Sequence, residues 1–205
     1  MGHNNSKEKQ VIIFNNYLFE NSDYFERHKL YSLYKNLLAV NEIEKLFCDK
    51  LGYNINICEN YTHSDIIDKI SNLLNYFETN KPSIIIIFVL TYHTNNFIHA
   101  ADKSYPLQDI IRTFTLNKNL ENIPKVYFIQ TEKSGYDLCC NNNNVIDIQG
   151  SETLILRSIN NNSIINEFCL KYKYNKNLLN NCIEMQSIPP SHIMISTLTK
   201  MNYNL

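Results

Sequence analysis

The sequence predicts an α/β fold in which helices cover both faces of a mostly parallel sheet. Strand-like and helix-like segments alternate along the 205 residues, which suits one domain. Residues 83–90 (SIIIIFVL) are continuously apolar and β-branched after the first serine, as in a central parallel strand buried on both faces. With a hydrophobic fraction of 44%, the chain can build a sizeable core. We therefore expect a three-layer sandwich around a six-stranded sheet.

The first half of the chain supplies alternating strand and helix signals. Residues 10–14 form a short β-branched run, and residues 30–51 carry apolar side chains at helical spacing. Residues 53–58 alternate between apolar and polar, which predicts a strand with one more exposed face. Thr62 and Asp65 have the spacing of a capping box and predict the start of a second helix.

The second half continues the pattern to the end of the chain. Pro106 is placed to open a helix, because proline is favoured at a helix start. Periodicity and β-branched runs then predict helices at 107–114, 164–169 and 178–183, and strands at 125–130, 153–158 and 192–198.

Two polar segments follow the central strands of this predicted sheet. Thr91-Tyr92-His93 comes after residues 83–90, and Thr131-Glu132-Lys133 comes after residues 125–130. Functional sites of open α/β sheets lie beyond the carboxyl ends of the strands. We therefore expect these two segments to be irregular loops that form the site.

Composition excludes several classes of function. A net charge of −1 argues against a nucleic-acid-binding protein, which would carry a basic patch. The longest apolar run, residues 84–90, is too short to span a membrane. The six cysteines are scattered without a C-x-x-C pair, which indicates a reduced, cytoplasmic protein. We expect neither a metal nor a cofactor.

The N-terminus fits the M-G-x-x-x-[ST] pattern, which makes Gly2 a candidate for myristoylation, although a chance glycine or a cloning scar would look the same. One acyl chain would give only weak membrane association. The abundance of Asn, Ile, Lys and Tyr indicates an AT-rich genome, such as that of a large DNA virus, a slime mould or a protozoan.

Several ordered segments together resemble the caspases, cysteine proteases that cleave after aspartate. VIIFNNYLF resembles the first caspase strand, SIIIIFVLTYH the strand before the catalytic histidine, NIPKVYFIQTEKSG the strand before the catalytic cysteine, and SHIMISTLTKMNY the last strand. The resemblance implies a flexible N-terminus at residues 1–9 and a single caspase-like domain at 10–205. Within it, residues 10–138 are large-subunit-like, 139–150 a short uncleaved linker, and 151–205 small-subunit-like.

The two catalytic positions of the resemblance carry the wrong residues for a caspase. Tyr92 stands at the histidine position and Glu132 at the cysteine position. A caspase needs a thiolate and an imidazole, so the resemblance implies an inactive homologue. Two alternatives stay open: a bulge that brings His93 into the histidine position, and an active cysteine protease that uses Cys139 or Cys140.

The substrate pocket is also altered relative to the resemblance. Arg27 and Gln130 match two pocket residues, whereas the segment after residues 153–158 lacks the tryptophan and arginine of the family loop. We hypothesise that Glu132 pairs with Arg27 and occupies the pocket as a built-in substrate mimic, since arginine binds carboxylates in a bidentate manner.

The resemblance implies a protein that modulates host apoptosis, in the direction of inhibition, by binding other proteins. The expected partner is a caspase, a caspase-activating host protein or a second copy of the chain. A scaffold or virion component without an effect on cell death is the alternative. The predicted dimer interface is the last strand, formed by His192, Ile193, Met194, Ile195, Ser196, Thr197 and Leu198.

Overall fold

Uninterrupted apolar runs form the central strands of the sheet. The computed structural model describes residues 8–19, 33–94, 97–133, 152–158, 164–186 and 193–198. The strands are β1 (Lys9–Asn15), β2 (Asn54–Glu59), β3 (Ile84–Thr94), β4 (Phe97–His99), β5 (Ser104–Pro106), β6 (Lys125–Lys133), β7 (Thr153–Ser158) and β8 (Ile193–Leu198). The α-helices are α1 (Lys35–Ile43), α2 (His63–Thr79), α3 (Leu107–Thr115), α4 (Ile164–Lys171) and α5 (Leu178–Gln186).

Six of these strands form the main sheet in the order β2-β1-β3-β6-β7-β8. All neighbours pair in parallel except β8, which runs antiparallel to β7. The short strands β4 and β5 extend the sheet beside the end of β3. The predicted mostly parallel, six-stranded sheet is therefore confirmed.

Alternate residues of each strand enter two separate cores. Even-numbered residues of β3, such as Phe88 and Leu90, pack with α1, α4 and α5 on what we term the α1 face. Odd-numbered residues, such as Ile87 and Val89, pack with α2 and α3 on the opposite face, which we term the α2 face. Helices thus cover both sides, as the sequence predicts.

The ends of several elements differ from the sequence prediction. β3 continues to Thr94 and β6 to Lys133, so the two polar segments expected to be loops lie within strands. The reason is that the β3–β6 ladder persists for nine consecutive residue pairs, to His93 and Lys133. The helix of the first half passes through Asn41 and becomes π-helical over Glu44–Lys50.

Candidate functional site

The two candidate catalytic positions are direct neighbours across the β3–β6 ladder. Tyr92 of β3 aligns with Glu132 of β6, at the carboxyl ends of the two central strands. Both residues continue the even-numbered register and therefore lie on the α1 face. The Tyr92 side chain is buried, with 6% exposed, and its ring lies 5.4 Å from the Phe19 ring. The sequence places these residues at strand ends, and the fold brings them side by side.

A lysine from α1 contacts the carboxylate of Glu132. Lys35 Nζ forms an ion pair with Glu132 Oε1, and the Lys35 side chain is 52% exposed against 18% for Glu132. The hypothesised partner, Arg27, lies outside the described residues. Sequence reasoning missed Lys35, because nothing in its local pattern shows that the first turn of α1 lies above the end of β6.

His93 lies on the face of the sheet opposite Tyr92 and Glu132. The ladder is regular from Tyr92 to His93, where His93 aligns with Lys133, and successive side chains alternate between faces. The bulge that would bring His93 into the histidine position is therefore absent from this described ladder. That hypothesis is wrong because the extra β3–β6 pairing keeps the strand extended.

His99 connects β4 to the end of β3 by hydrogen bonds. His99 is fully buried in β4, and Thr91 Oγ1 donates a hydrogen bond of 2.6 Å to its backbone oxygen. Thr94 Oγ1 lies 3.0 Å from His99 Nε2. These contacts link the end of β3 to β4. His99 thus has a structural role that the sequence does not reveal.

Gln130, the pocket-like residue, contacts α4. Its Oε1 accepts a hydrogen bond of 3.3 Å from the backbone N–H of Ile165, in the first turn of the helix. That N–H has no partner within the helix, because the first turn of any helix leaves its N–H groups unsatisfied. The Gln130 amide oxygen therefore caps α4.

Three of the four described cysteines have thiols that are buried or half-buried, whereas Cys48 is exposed. Burial raises the pKa of Cys58 to about 11 and that of Cys169 to about 12, and it also raises the pKa of Cys182. Such thiols stay protonated at neutral pH and are poor nucleophiles. Cys139 and Cys140 lie outside the described residues.

The remaining predicted features are placed as follows. β8 (Ile193–Leu198) lies at one end of the main sheet, paired on one side with β7. Gly2 and His192 lie outside the described residues.

Within the described ranges, no helix has the length and apolar character to cross a bilayer. Among the same residues, no group of three or more His, Cys, Asp or Glu side chains could hold a metal ion.

Comparison with known proteins identifies the family. A family model described as the caspase domain matches residues 10–191. The chain belongs to the caspase family. The match includes both strands that carry Tyr92 and Glu132, so this unusual pair lies inside the caspase domain.

Solved structures share the caspase fold with this chain. The structure of pro-sf-caspase-1 superposes with a TM-score of 0.76 at 16% identity, over 97% of this chain and 90% of that chain. Caspase-1 from Spodoptera frugiperda gives a TM-score of 0.73 at 18% identity, over 97% and 92%. At these identities the likeness concerns the fold alone. A comparison with curated proteins found no match.

Proposed function

We propose that this caspase-family chain is a catalytically inactive homologue that inhibits host apoptosis through protein–protein contacts. The observation that carries the proposal is the aligned pair of Tyr92 and Glu132 at the carboxyl ends of β3 and β6. By the sequence resemblance these are the positions of the catalytic histidine and cysteine. The abundance of Asn, Ile, Lys and Tyr agrees with an AT-rich genome and hence with a viral source, and suppression of host cell death is advantageous to a virus.

The chemistry of the two side chains supports a loss of activity. A caspase acylates a thiolate and uses an imidazole to move the proton. A carboxylate spreads its charge over two oxygens and is a weak nucleophile towards a peptide carbonyl. A phenol, with an ordinary pKa near 10, does not exchange protons efficiently at pH 7. No thioester can form from this pair.

The contact between Lys35 and Glu132 supports the same proposal. A cation bound to the carboxylate further lowers the availability of its electrons for attack. The pair also places a positive side chain where the family would hold its nucleophile. A retained core combined with this altered pair fits a fold kept for binding, by analogy with other inactive enzyme homologues.

Hydrolysis assays test the loss of catalysis. The purified full chain is incubated with fluorogenic aspartyl peptides and with an aspartyl electrophile, followed by intact-mass measurement. We expect no hydrolysis and no adduct. Hydrolysis that is abolished by Cys139→Ala or Cys140→Ala would instead identify an active cysteine protease and overturn the proposal.

The edge strand β8 is the proposed partner surface. A parallel or antiparallel strand can add to an unpaired sheet edge through backbone hydrogen bonds, and β8 ends the main sheet within the described residues. The partner is a second copy of the chain or a caspase whose last strand pairs in the same way. In a strand, the backbone N–H groups of adjacent residues point towards opposite neighbouring strands. Of the variants Ile195→Pro and Ser196→Pro, one therefore removes an N–H group that points away from β7, where a partner strand would pair, and the other removes one that points towards β7.

A cell assay links this edge to apoptosis. Host cells expressing the chain receive an apoptotic stimulus, and their caspase activity is measured. We expect lower activity with the wild-type chain and restored activity with the proline variant that stays folded but loses association in sedimentation experiments. Unchanged caspase activity with the wild-type chain would favour a scaffold or virion component instead.

A further inference from the structure

A groove lies between α1 and the edge strand β2, at the end of the sheet opposite β8. It is an open groove with a volume of about 390 Å³, which is within the range of small ligand sites. β2 is the first strand in the sheet order, so this site and the β8 edge are separated by the full width of the sheet. The apolar lining of this α1–β2 groove consists of Leu37, Val40, Ile57 and Tyr61.

Two acidic side chains give the groove its charge. Glu44 and Glu59 both line it, and neither forms an ion pair or a side-chain hydrogen bond with any residue of the described ranges. By contrast, Glu42 in the same helical segment is neutralised by Lys45, with Nζ and Oε1 2.7 Å apart. The groove therefore combines an apolar surface with two carboxylates that are available to a partner.

The wall of the groove beside β2 is fixed by an unusual residue. Asn60 adopts a left-handed backbone with φ of 52°, which is uncommon for a residue with a side chain. Its Oδ1 accepts hydrogen bonds from the N–H groups of Tyr17 at 3.0 Å and Leu18 at 2.8 Å. Asn16 Nδ2 donates to the Tyr61 oxygen at 2.9 Å. These bonds join the segments that follow β1 and β2, so a partner meets a pre-organised wall.

The opposite wall has an irregular geometry of its own. The regular helix α1 changes to π-helical turns at Glu44, so this carboxylate is presented from the start of the π-helical segment. π-helical turns are rare and recur at functional sites. Asn41, one turn earlier, is exposed and lines the groove between the apolar residues and Glu44.

We propose that the α1–β2 groove binds an extended segment of a partner protein in which a large apolar side chain lies next to lysine or arginine. The apolar lining accommodates the large side chain, and Glu44 and Glu59 pair with the basic residues. An extended segment is favoured because β2 is the edge strand among the described residues, and a peptide can lie along or pair with such a strand. The proposal goes beyond the function proposed above and holds whether or not the chain has catalytic activity.

Peptide selection tests both the charge and the apolar requirement. A phage library of random seven-residue peptides is selected against the purified full chain. We expect enrichment of peptides that place arginine or lysine beside leucine, phenylalanine or valine. The enriched peptides are synthesised, and their Kd values are measured by fluorescence anisotropy against four proteins: the wild-type chain, Glu44→Gln/Glu59→Gln, Asn41→Arg and a charge-matched control.

The control double variant, Asp68→Asn/Glu78→Gln, removes two carboxylates from α2 on the other face of the sheet. We expect it to bind like the wild-type chain. Glu44→Gln/Glu59→Gln should weaken binding about five- to tenfold, since partly exposed ion pairs contribute modestly. Asn41→Arg, which introduces a cation into the groove, should weaken binding further. All substituted positions are at the surface, and dispersed amide NMR spectra verify that each variant is folded.

Three results would overturn the proposal. They are failure to enrich any peptide, enrichment of peptides without basic residues, and equal affinity of the groove double variant and the α2 control. Sedimentation of the groove variants separates this site from the β8 edge, because self-association through β8 should be unchanged. Peptide binding at the groove and aspartyl-peptide hydrolysis are measured independently, so neither outcome decides the other.

Discussion

Tyr92 and Glu132 occupy paired positions on adjacent parallel strands, with their side chains on the same face of the sheet. The backbones of neighbouring strands lie about 4.8 Å apart, so the side chains of Tyr92 and Glu132 start close enough to contact each other. The spacing suits a proton-transfer pair, whereas the side chains present do not. The proposed loss of a caspase dyad can thus be tested at these two positions.

Introducing cysteine and histidine at these positions should give a reactive thiol. In Glu132→Cys/Tyr92→His, the imidazolium lies beside the new thiol and lowers its pKa. We expect iodoacetamide to alkylate this double variant about tenfold faster at pH 6.5 than Glu132→Cys alone. The rates are measured by intact mass spectrometry over a range of pH values.

The single variant Glu132→Cys is the matched control for this experiment. It retains both Lys35 and His93, so any faster reaction of the double variant is due to the histidine introduced at Tyr92. Because His93 lies on the opposite face of the sheet, it should not accelerate alkylation. Equal rates for the two variants would contradict the register described here.

The role of Gln130 in α4 predicts an effect on stability. The Ile165 N–H is in a fully buried residue and is capped by Gln130 Oε1. Gln130→Leu removes the acceptor and should lower the free energy of unfolding by about 1–2 kcal/mol. Urea denaturation monitored by circular dichroism measures the change.

Gln130→Glu serves as the comparison, because it keeps an acceptor and adds a negative charge at a helix N-terminus, where anions are favourable. We expect its stability to be within about 0.5 kcal/mol of the wild-type value. A similar loss for both variants would show that the contact with Ile165 does not stabilise α4.

Local pattern is sufficient for the core of this fold and insufficient for its site. The run at residues 83–90 has no polar residue after Ser83, so burial on both faces follows from the sequence alone. The end of β3 could not be predicted, because Thr91, Tyr92 and His93 are compatible with either a strand or a loop. Pairing with β6, forty residues away along the chain, decides between them.

The partner of Glu132 shows a second limit of sequence reasoning. A lysine in the first turn of a helix has no distinguishing local signal, and Lys35 reaches Glu132 only because α1 packs on the face of the sheet to which Glu132 belongs. Long-range packing of this kind depends on helix position, which periodicity does not specify. Once the register of β3 and β6 is known, the alternation of faces places Tyr92 and Glu132 together.

The ion pair between Lys35 and Glu132 should contribute little to stability. A double-mutant cycle with Lys35→Met and Glu132→Gln should give a coupling free energy below about 1 kcal/mol, because Lys35 is half exposed. The coupling free energy should be smaller in 0.5 M NaCl, because dissolved ions screen the attraction between exposed charges. Urea denaturation provides all four values.

Lys45 and Glu42 form the matched control pair, with side chains 62% and 28% exposed. Because Glu132 is less exposed than Glu42, its coupling to Lys35 should be the larger of the two. A coupling of zero for Lys35 and Glu132, with a measurable value for the control pair, would show that the contact does not persist in solution.

The fully buried Lys125 predicts a distinct pH dependence of stability. Its Nζ donates hydrogen bonds to the backbone oxygens of Leu120 at 2.6 Å and Ile123 at 2.8 Å. Burial lowers the pKa of this amine to about 8. The negative charges of Glu152 and Glu121 raise the pKa, but by less than burial lowers it. The ordinary pKa of a lysine, 10.5, applies in the unfolded chain. Between pH 8 and pH 10.5, the unfolded chain therefore binds more protons at Lys125 than the folded chain does.

An excess of bound protons in the unfolded state means that stability rises with pH. The contribution of Lys125 to the free energy of unfolding should therefore increase by about 1–2 kcal/mol from pH 7.5 to 9.5. The measurement compares wild type with Lys125→Met by urea denaturation at both pH values. Burial also raises the pKa values of Tyr105 and Tyr127, but these residues are present in both proteins and cancel in the difference. A difference between wild type and Lys125→Met that is independent of pH would mean that the amine keeps its ordinary pKa in the folded chain.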